Sequence, residues 1–310
     1  QTAQTGARGA RHRAPDRAAE REDLICGAQK ADTSCPPPQT RPLVARAASL
    51  RIRGGASAGV AGCTMGLLAT LLAVLAVCEA ASTDLHWLPL GDSITWGCGT
   101  DATPRGRPDC APDAGGYRIP LAWALSQAGY NVSTMGTLTT GPEYVPTAWK
   151  KHDGHPGWRY DQIDALLNTS LKTSRTPPDL VTIHLGTNDC GQGPNDVALI
   201  GSRMNSLLRH VFASVPQAHV FVASMIGFPG EAVCAAAVNA LLPPAIASLK
   251  TAGMKVVYVP MQEQSGICVA NMTDPLSGLC CSGRVHPTAA GYLRMASAFA
   301  LSIAEYGPVA

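Results

Sequence analysis

The chain has 310 residues, 46% hydrophobic and 15% charged, with 31 glycines, 24 prolines and 11 cysteines. That length buries a sizeable core without metal or disulfide staples, and glycine without a three-residue period excludes collagen. The net charge of +2 is uneven: residues 1–64 carry 10 basic against 5 acidic side chains, leaving 14 against 17 for the rest. The basic balance is therefore no sign of a nucleic-acid surface.

Residues 1–53 contain no Phe, Tyr or Trp and mix both charge signs with Pro and Ala. Such a composition cannot bury enough surface to offset chain ordering, which predicts disorder. Interleaved acids and missing aromatics disfavour a basic RNA-binding arm. Residues 54–78 carry no charge, and Gly66–Val77 has the length of a signal-peptide h-region, with Met65 before it and small residues Ala80, Ala81 and Ser82 after it. Residues 1–64 read as a leader or a mis-assigned extension, 65–83 as a signal peptide cleaved near 80–83, and 84–310 as the domain. The alternative is a membrane anchor through residues 55–78. Both place the domain outside the cytosol.

Sequons at Asn131, Asn168 and Asn271 agree with that compartment. Seven cysteines follow the signal, with no zinc-ribbon spacing. In a secreted chain they read as disulfides: Cys98 with Cys110, Cys268 with Cys280 or Cys281, and one thiol left over.

Along the domain, His86–Leu90 reads as a strand, Tyr117–Ala128 as a helix stopped by Gly129, and Val132–Gly136 as a second strand. Residues 137–178 read as irregular apart from a short helix at Tyr160–Leu167. Leu180–Leu185 is an apolar run suited to a parallel strand covered on both faces. Asn195 is the expected cap of a helix carrying Val197, Ile200, Met204, Leu207, Leu208 and Val211 on one stripe. His219–Met225 and Lys255–Met261 read as strands around a helix at 231–250 that Pro243–Pro244 should break or kink. A last helix at 289–304 puts Tyr292, Met295, Phe299 and Ile303 on one face. Strands alternating with helices argue for a parallel α/β sheet, whose sites lie at the strands' carboxyl ends.

The reactive residue types fall at those ends. Ser93, in LPLGDSITWG, follows the first strand, where a serine exposes its hydroxyl at a strand-to-helix turn; a plain helix cap is the alternative. Asn188, in LGTNDCG, has an amide to offer an oxyanion, and a local turn is its alternative. Gly136 ends the second strand with an N–H able to point the same way. His286, in VHPTAAGY, stands before the last helix, where a neutral imidazole takes a serine proton. Asp92 and Asp189 beside them read as structural, satisfying amides near the strand ends.

GDSITWG, Gly136, GTND and VHPT, in this order, resemble the four blocks of the SGNH (GDSL-type) hydrolase family. LPLGDSITWG, GGYRIPL, HDGHPGW, LGTND and VHPTAAGY are similar to its carbohydrate acetylesterase branch, which includes acetyl xylan esterases. The resemblance spans about residues 84–305. It implies a three-layer α/β/α sandwich around a five-stranded parallel sheet (flavodoxin-like), with no metal or organic cofactor. It makes Ser93 the nucleophile, His286 the base, and Gly136 and Asn188, with the Ser93 N–H, the oxyanion donors. The family's Asp three residues before the histidine is replaced here by Gly283. That leaves a backbone carbonyl or Asp274 to orient His286, or an impaired enzyme that only binds carbohydrate. His155, Trp158 and Trp96 are the candidates for lining a sugar pocket, with loop packing the plainer role for the first two. The function implied is a secreted, monomeric serine esterase acting on short acyl esters, above all acetyl groups of a polysaccharide such as xylan, with a broader lipolytic esterase as the alternative and no nucleic-acid partner.

Overall fold

A computed structural model describes residues 82–99, 110–193, 195–228, 230–267 and 285–309. Residues 1–81, which hold the leader and nearly all of the signal segment, and Asn271, Asp274, Gly283, Cys268, Cys280 and Cys281 lie outside the described residues.

The backbone alternates strands with helices. Strand β1 (Thr83–Asp92) runs into helix α1 (Ser93–Trp96). Helix α2 (Arg118–Gln127), β2 (Tyr130–Thr134), β3 (Leu138–Thr139), a 3₁₀ turn at Thr147–Trp149, and β4 (Lys151–His155) follow. Then come α3 (Tyr160–Leu171), β5 (Leu180–His184), α4 (Thr187–Gly191), α5 (Val197–Ser214), β6 (His219–Ala223) and α6 (Ala232–Thr251). Strand β7 (Val256–Val259), α7 (Met261–Ser265) and α8 (Ala289–Tyr306) complete the order.

Strands β2, β1, β5, β6 and β7 pair in parallel, which is the arrangement expected of five strands. The sheet is larger than that, and mixed. Strand β4 pairs in parallel with the carboxyl end of β1, and β3 pairs antiparallel with β4. Seven strands result among the described residues. Segment 137–178 is thus not irregular. Its strand Lys-His-Asp-Gly-His offers no apolar residue to a periodicity reading, yet four of its five positions are at least partly buried.

Helices flank both faces. On one, Leu88, Leu90, Val181, Ile183, Val220 and Val222 pack against α3, α5 and α6. On the other, Leu85, Trp87, Leu180, Phe221 and Val259 meet α2 and α8. This alternation is the period of two that a strand covered on both sides imposes. Helix α6 is long and apolar enough to cross a membrane. Here Cys234, Ala235, Val238, Leu242, Ile246 and Leu249 seat it in the core. It runs on through Pro243–Pro244, so the expected break does not occur. The cap of α5 is Asp196, whose carboxylate accepts from the Ala198 and Leu199 N–H groups, while Asn195 takes a left-handed conformation one residue earlier.

Two disulfides occur among the described residues. Cys98–Cys110 is as expected. Cys190–Cys234 is not, and ties α4 to α6.

Candidate active site

Strand order β4–β1–β5 brings three carboxyl ends together, and the site is built on them. At the end of β1, Asp92 caps α1 by accepting the Ile94 N–H at 2.9 Å. This makes Ser93 the first residue of a helix, with its N–H among the donors that a helix start leaves unpaired. Its side chain is nearly buried, at 6% exposure. Helix α1 is one turn long, so its far end needs outside support. The buried Arg118 guanidinium donates to the carbonyls of Thr95 at 2.7 Å and Trp96 at 3.2 Å, and the Tyr292 hydroxyl to that of Cys98 at 2.7 Å.

His286 precedes the Thr288 cap of α8 and packs on Gly99, where an added Cβ would come within 2.3 Å of its own. Its Nε2 lies 2.8 Å from Ser93 Oγ, a full hydrogen bond. A serine hydroxyl held on an imidazole nitrogen is the arrangement that transfers its proton as an electrophile is attacked.

On the other flank, α4 presents Asn188. Its Nδ2 donates to the Trp158 carbonyl at 2.9 Å and stands 3.5 Å from Asp92 Oδ2. Asp92 and Asp189 are structural in their contacts. Asp189 accepts the Tyr160 N–H at 3.2 Å and pairs with Arg203 at 3.4 Å. Burial pushes the Asp92 carboxyl up to about 7, against the lowering effect of its Ile94 hydrogen bond.

Gly136 is not part of this group. Its N–H donates to Thr173 Oγ1 at 3.1 Å. The pairing of Thr134 with Trp87 sets Gly136 level with Pro89, four residues short of Ser93, or about 13 Å along the strand. The Thr173 that takes its N–H lines, with Ser133, Thr147 and Lys151, a separate cavity of about 300 Å³. Strand β4 takes its place beside the nucleophile: Gly154 pairs with Gly91, and His155 with Asp92. Beyond it, Gly157 adopts a left-handed φ of +82° that disfavours any side chain. Its N–H makes no hydrogen bond among the described residues. Nothing in the composition of HDGHPGW separates Gly157 from Gly136 as a donor. The register does.

His155 and Trp158 come together as a stacked pair, ring centroids 4.1 Å apart. His155 Nε2 lies 3.1 Å from Asp153 Oδ1, an oxygen that also accepts the Thr137 N–H and hydroxyl. Trp96 turns its Nε1 to the Ala111 carbonyl at 3.1 Å and packs edge-on against His152. Asp274, one of the groups expected to orient His286, lies outside the described residues.

The family model of GDSL-like lipases and acylhydrolases matches residues 90–294, about two thirds of the chain and every residue of this site. The chain belongs to that family. As a member of it, the protein is a carboxylic ester hydrolase. A family 3 carbohydrate esterase of Clostridium thermocellum is 26% identical, with a TM-score of 0.57, covering 72% of this chain and 96% of its own. A family 3 carbohydrate esterase of Talaromyces cellulolyticus has a TM-score of 0.57 at 22% identity, covering 71% and 97%. A serine-to-alanine mutant of an acetyl esterase with acetate ion gives 0.57 at 21%, over the same shares. These last two show the fold alone. No curated protein matches the chain. Among GDSL-like proteins, the resemblance to carbohydrate esterases noted from sequence is matched by the Clostridium thermocellum structure.

Proposed function

We propose that the protein is a secreted serine esterase that removes acetyl groups from a polysaccharide such as xylan. The observation that carries the reading is the 2.8 Å contact between Ser93 Oγ and His286 Nε2, with the Asn188 amide 3.5 Å from the carboxyl of Asp92, the residue before Ser93. Ser93 Oγ attacks the acetyl carbonyl carbon as its proton passes to His286 Nε2. The carbonyl oxygen becomes an oxyanion held by the Ser93 N–H, one Asn188 N–H and the Gly157 N–H, which replaces Gly136 in this role. Collapse breaks the ester C–O bond, and the sugar alkoxide leaves with the proton from His286. Water, deprotonated by His286, then attacks the acetyl-serine; the bond to Ser93 Oγ breaks, acetate is released, and His286 returns the proton to Ser93.

Two features favour a sugar ester over a long acyl chain. The flat His155–Trp158 pair beside Asn188 suits the apolar face of a pyranose, and polar residues dominate the surrounding turn. The similarity to a Clostridium thermocellum carbohydrate esterase points the same way. The uncharged segment 54–78 and the disulfides support export. Ser93→Ala tests the assignment: it should cut turnover of 4-nitrophenyl acetate and acetate release from acetylated xylan by at least about 10³-fold. An unchanged rate would remove Ser93 from the mechanism.

A further inference from the structure

We propose that Gln192 is a positioning residue that sets the oxyanion donors of this site; the inference rests on the oxyanion role assigned above to Asn188 and Gly157. Gln192 closes α4, and its backbone N–H bonds to the Asn188 carbonyl at 3.0 Å, so the two residues share one turn. Its side-chain Nε2 donates to the Gly157 carbonyl at 3.0 Å and to Asn188 Oδ1 at 3.2 Å. Both N–H groups of one carboxamide are thereby used, each on a residue that supplies an oxyanion donor. The link also joins the segments that follow β5 and β4, the two strands that flank the carboxyl end of β1.

The chemistry of the contacts fixes one orientation of Asn188. Its Oδ1 accepts from Gln192, and one Nδ2 hydrogen goes to the Trp158 carbonyl. The other faces Asp92 Oδ2 at 3.5 Å, too long for a good bond, and is the one left for a substrate oxygen. Rotating the amide by half a turn would set oxygen against the Trp158 carbonyl and N–H against N–H at Gln192. It would also aim an oxygen lone pair at the developing oxyanion. Gln192 is therefore one of two groups that keep a donor, rather than an acceptor, in the site. Its hold on the Gly157 carbonyl fixes the turn that carries the second donor. Around Gly157 the nearest side-chain atom that an added Cβ would meet is this same Nε2, at 3.6 Å.

Gln192→Glu removes both donors and presents a carboxylate to two oxygens, favouring the turned amide. Gln192→Leu removes them without adding charge. Gln192 is exposed at a helix end, and both variants should keep the wild-type Tm within a few degrees. The experiment measures kcat and KM on 4-nitrophenyl acetate for the full chain, both variants, Asn188→Ala, and each variant combined with Asn188→Ala. The expected result is a kcat lower by at least tenfold for Gln192→Glu and less for Gln192→Leu, with KM within twofold. In the Asn188→Ala background, the Gln192→Glu factor should shrink at least threefold, because its main target is gone. An equal factor in both backgrounds, a loss confined to KM, or an unchanged kcat would overturn the role of Gln192. An Asn188→Ala variant as active as wild type would instead overturn the oxyanion reading beneath it.

Discussion

The Cys190–Cys234 disulfide allows the support of the site to be measured. Cys190 stands in α4, two residues beyond Asn188, and Cys234 in the first turn of α6. Helix α4 is five residues long and follows Gly186, which offers no side-chain cap, so little within it resists fraying. The bridge spans 44 residues. On the chain-entropy scale, closing a loop of that size in the unfolded state stabilises the fold by about 4 kcal/mol. Cys98–Cys110 spans 12 residues and scales to about 3 kcal/mol. Paired alanine variants, one set for each bridge, should therefore lose stability in that order in guanidinium titrations. The Cys190→Ala/Cys234→Ala variant should also lose kcat on 4-nitrophenyl acetate, because α4 carries the oxyanion amide. If removing the short bridge costs more than removing the long one, the loop-entropy reasoning fails. If removing the long bridge leaves kcat untouched, α4 holds Asn188 without it.

Two other predictions rest on buried contacts. His184 is fully buried, with neither ring nitrogen bonded among the described residues, and burial pulls its pKa down to about 4. Between that value and about 6.5 the unfolded chain binds a proton that the native state refuses, so this group's share of stability is present above pH 6.5 and lost as pH falls to 4. The stability difference between His184→Met and wild type, followed by denaturant titration, should shift in the variant's favour by on the order of 3 kcal/mol from pH 7 to pH 4; a difference independent of pH would refute it. At Gly154, an added Cβ would lie 2.5 Å from the Trp96 nitrogen and 2.7 Å from the Thr95 carbonyl carbon, both backbone atoms. Gly154→Ala should push α1 and Ser93 out of line and lower kcat by roughly 10- to 100-fold, and an unchanged kcat would mean that β4 yields instead.

What the sequence revealed follows from what periodicity can detect. Strands β5 and β6 are near-continuous apolar runs, and α5 carries a clear apolar stripe, so they were legible. Ser93, Asn188 and His286 were legible because each stands where a strand or loop meets a helix. Strand β4 was not, because what it buries is polar, held mostly by individual side-chain hydrogen bonds. His152 bonds Thr140 Oγ1 at 2.7 Å and accepts the Gly154 N–H at 2.9 Å, and Asp153 is held by Thr137. Without β4, Gly136 at the end of β2 was the glycine to which the resemblance assigned the donor role, yet its N–H goes to Thr173. Cys190 and Cys234 lie 44 residues apart on two helices, a pairing that only the packing of α4 near α6 reveals.

Several of the residues that break the usual rules of a core are gathered around the carboxyl ends of three strands. Asp92, Thr95, His152, Asp153, His184, Thr187 and Asp189 are buried, on or just beyond β1, β4 and β5. A fold selected for stability alone would fill those positions with apolar side chains. Here they hold dipoles and donors in fixed directions around Ser93, the arrangement that stabilises charge without reorganisation at the moment of reaction. Asp92 shows the balance required. An ionised carboxylate 3.5 Å from the Asn188 amide would compete with an oxyanion for the same N–H. The burial that raises its pKa to about 7 opposes that ionisation, while its other oxygen still caps α1. One desolvated carboxyl thus anchors the nucleophile's helix and adds less negative charge beside the oxyanion than a solvated aspartate would.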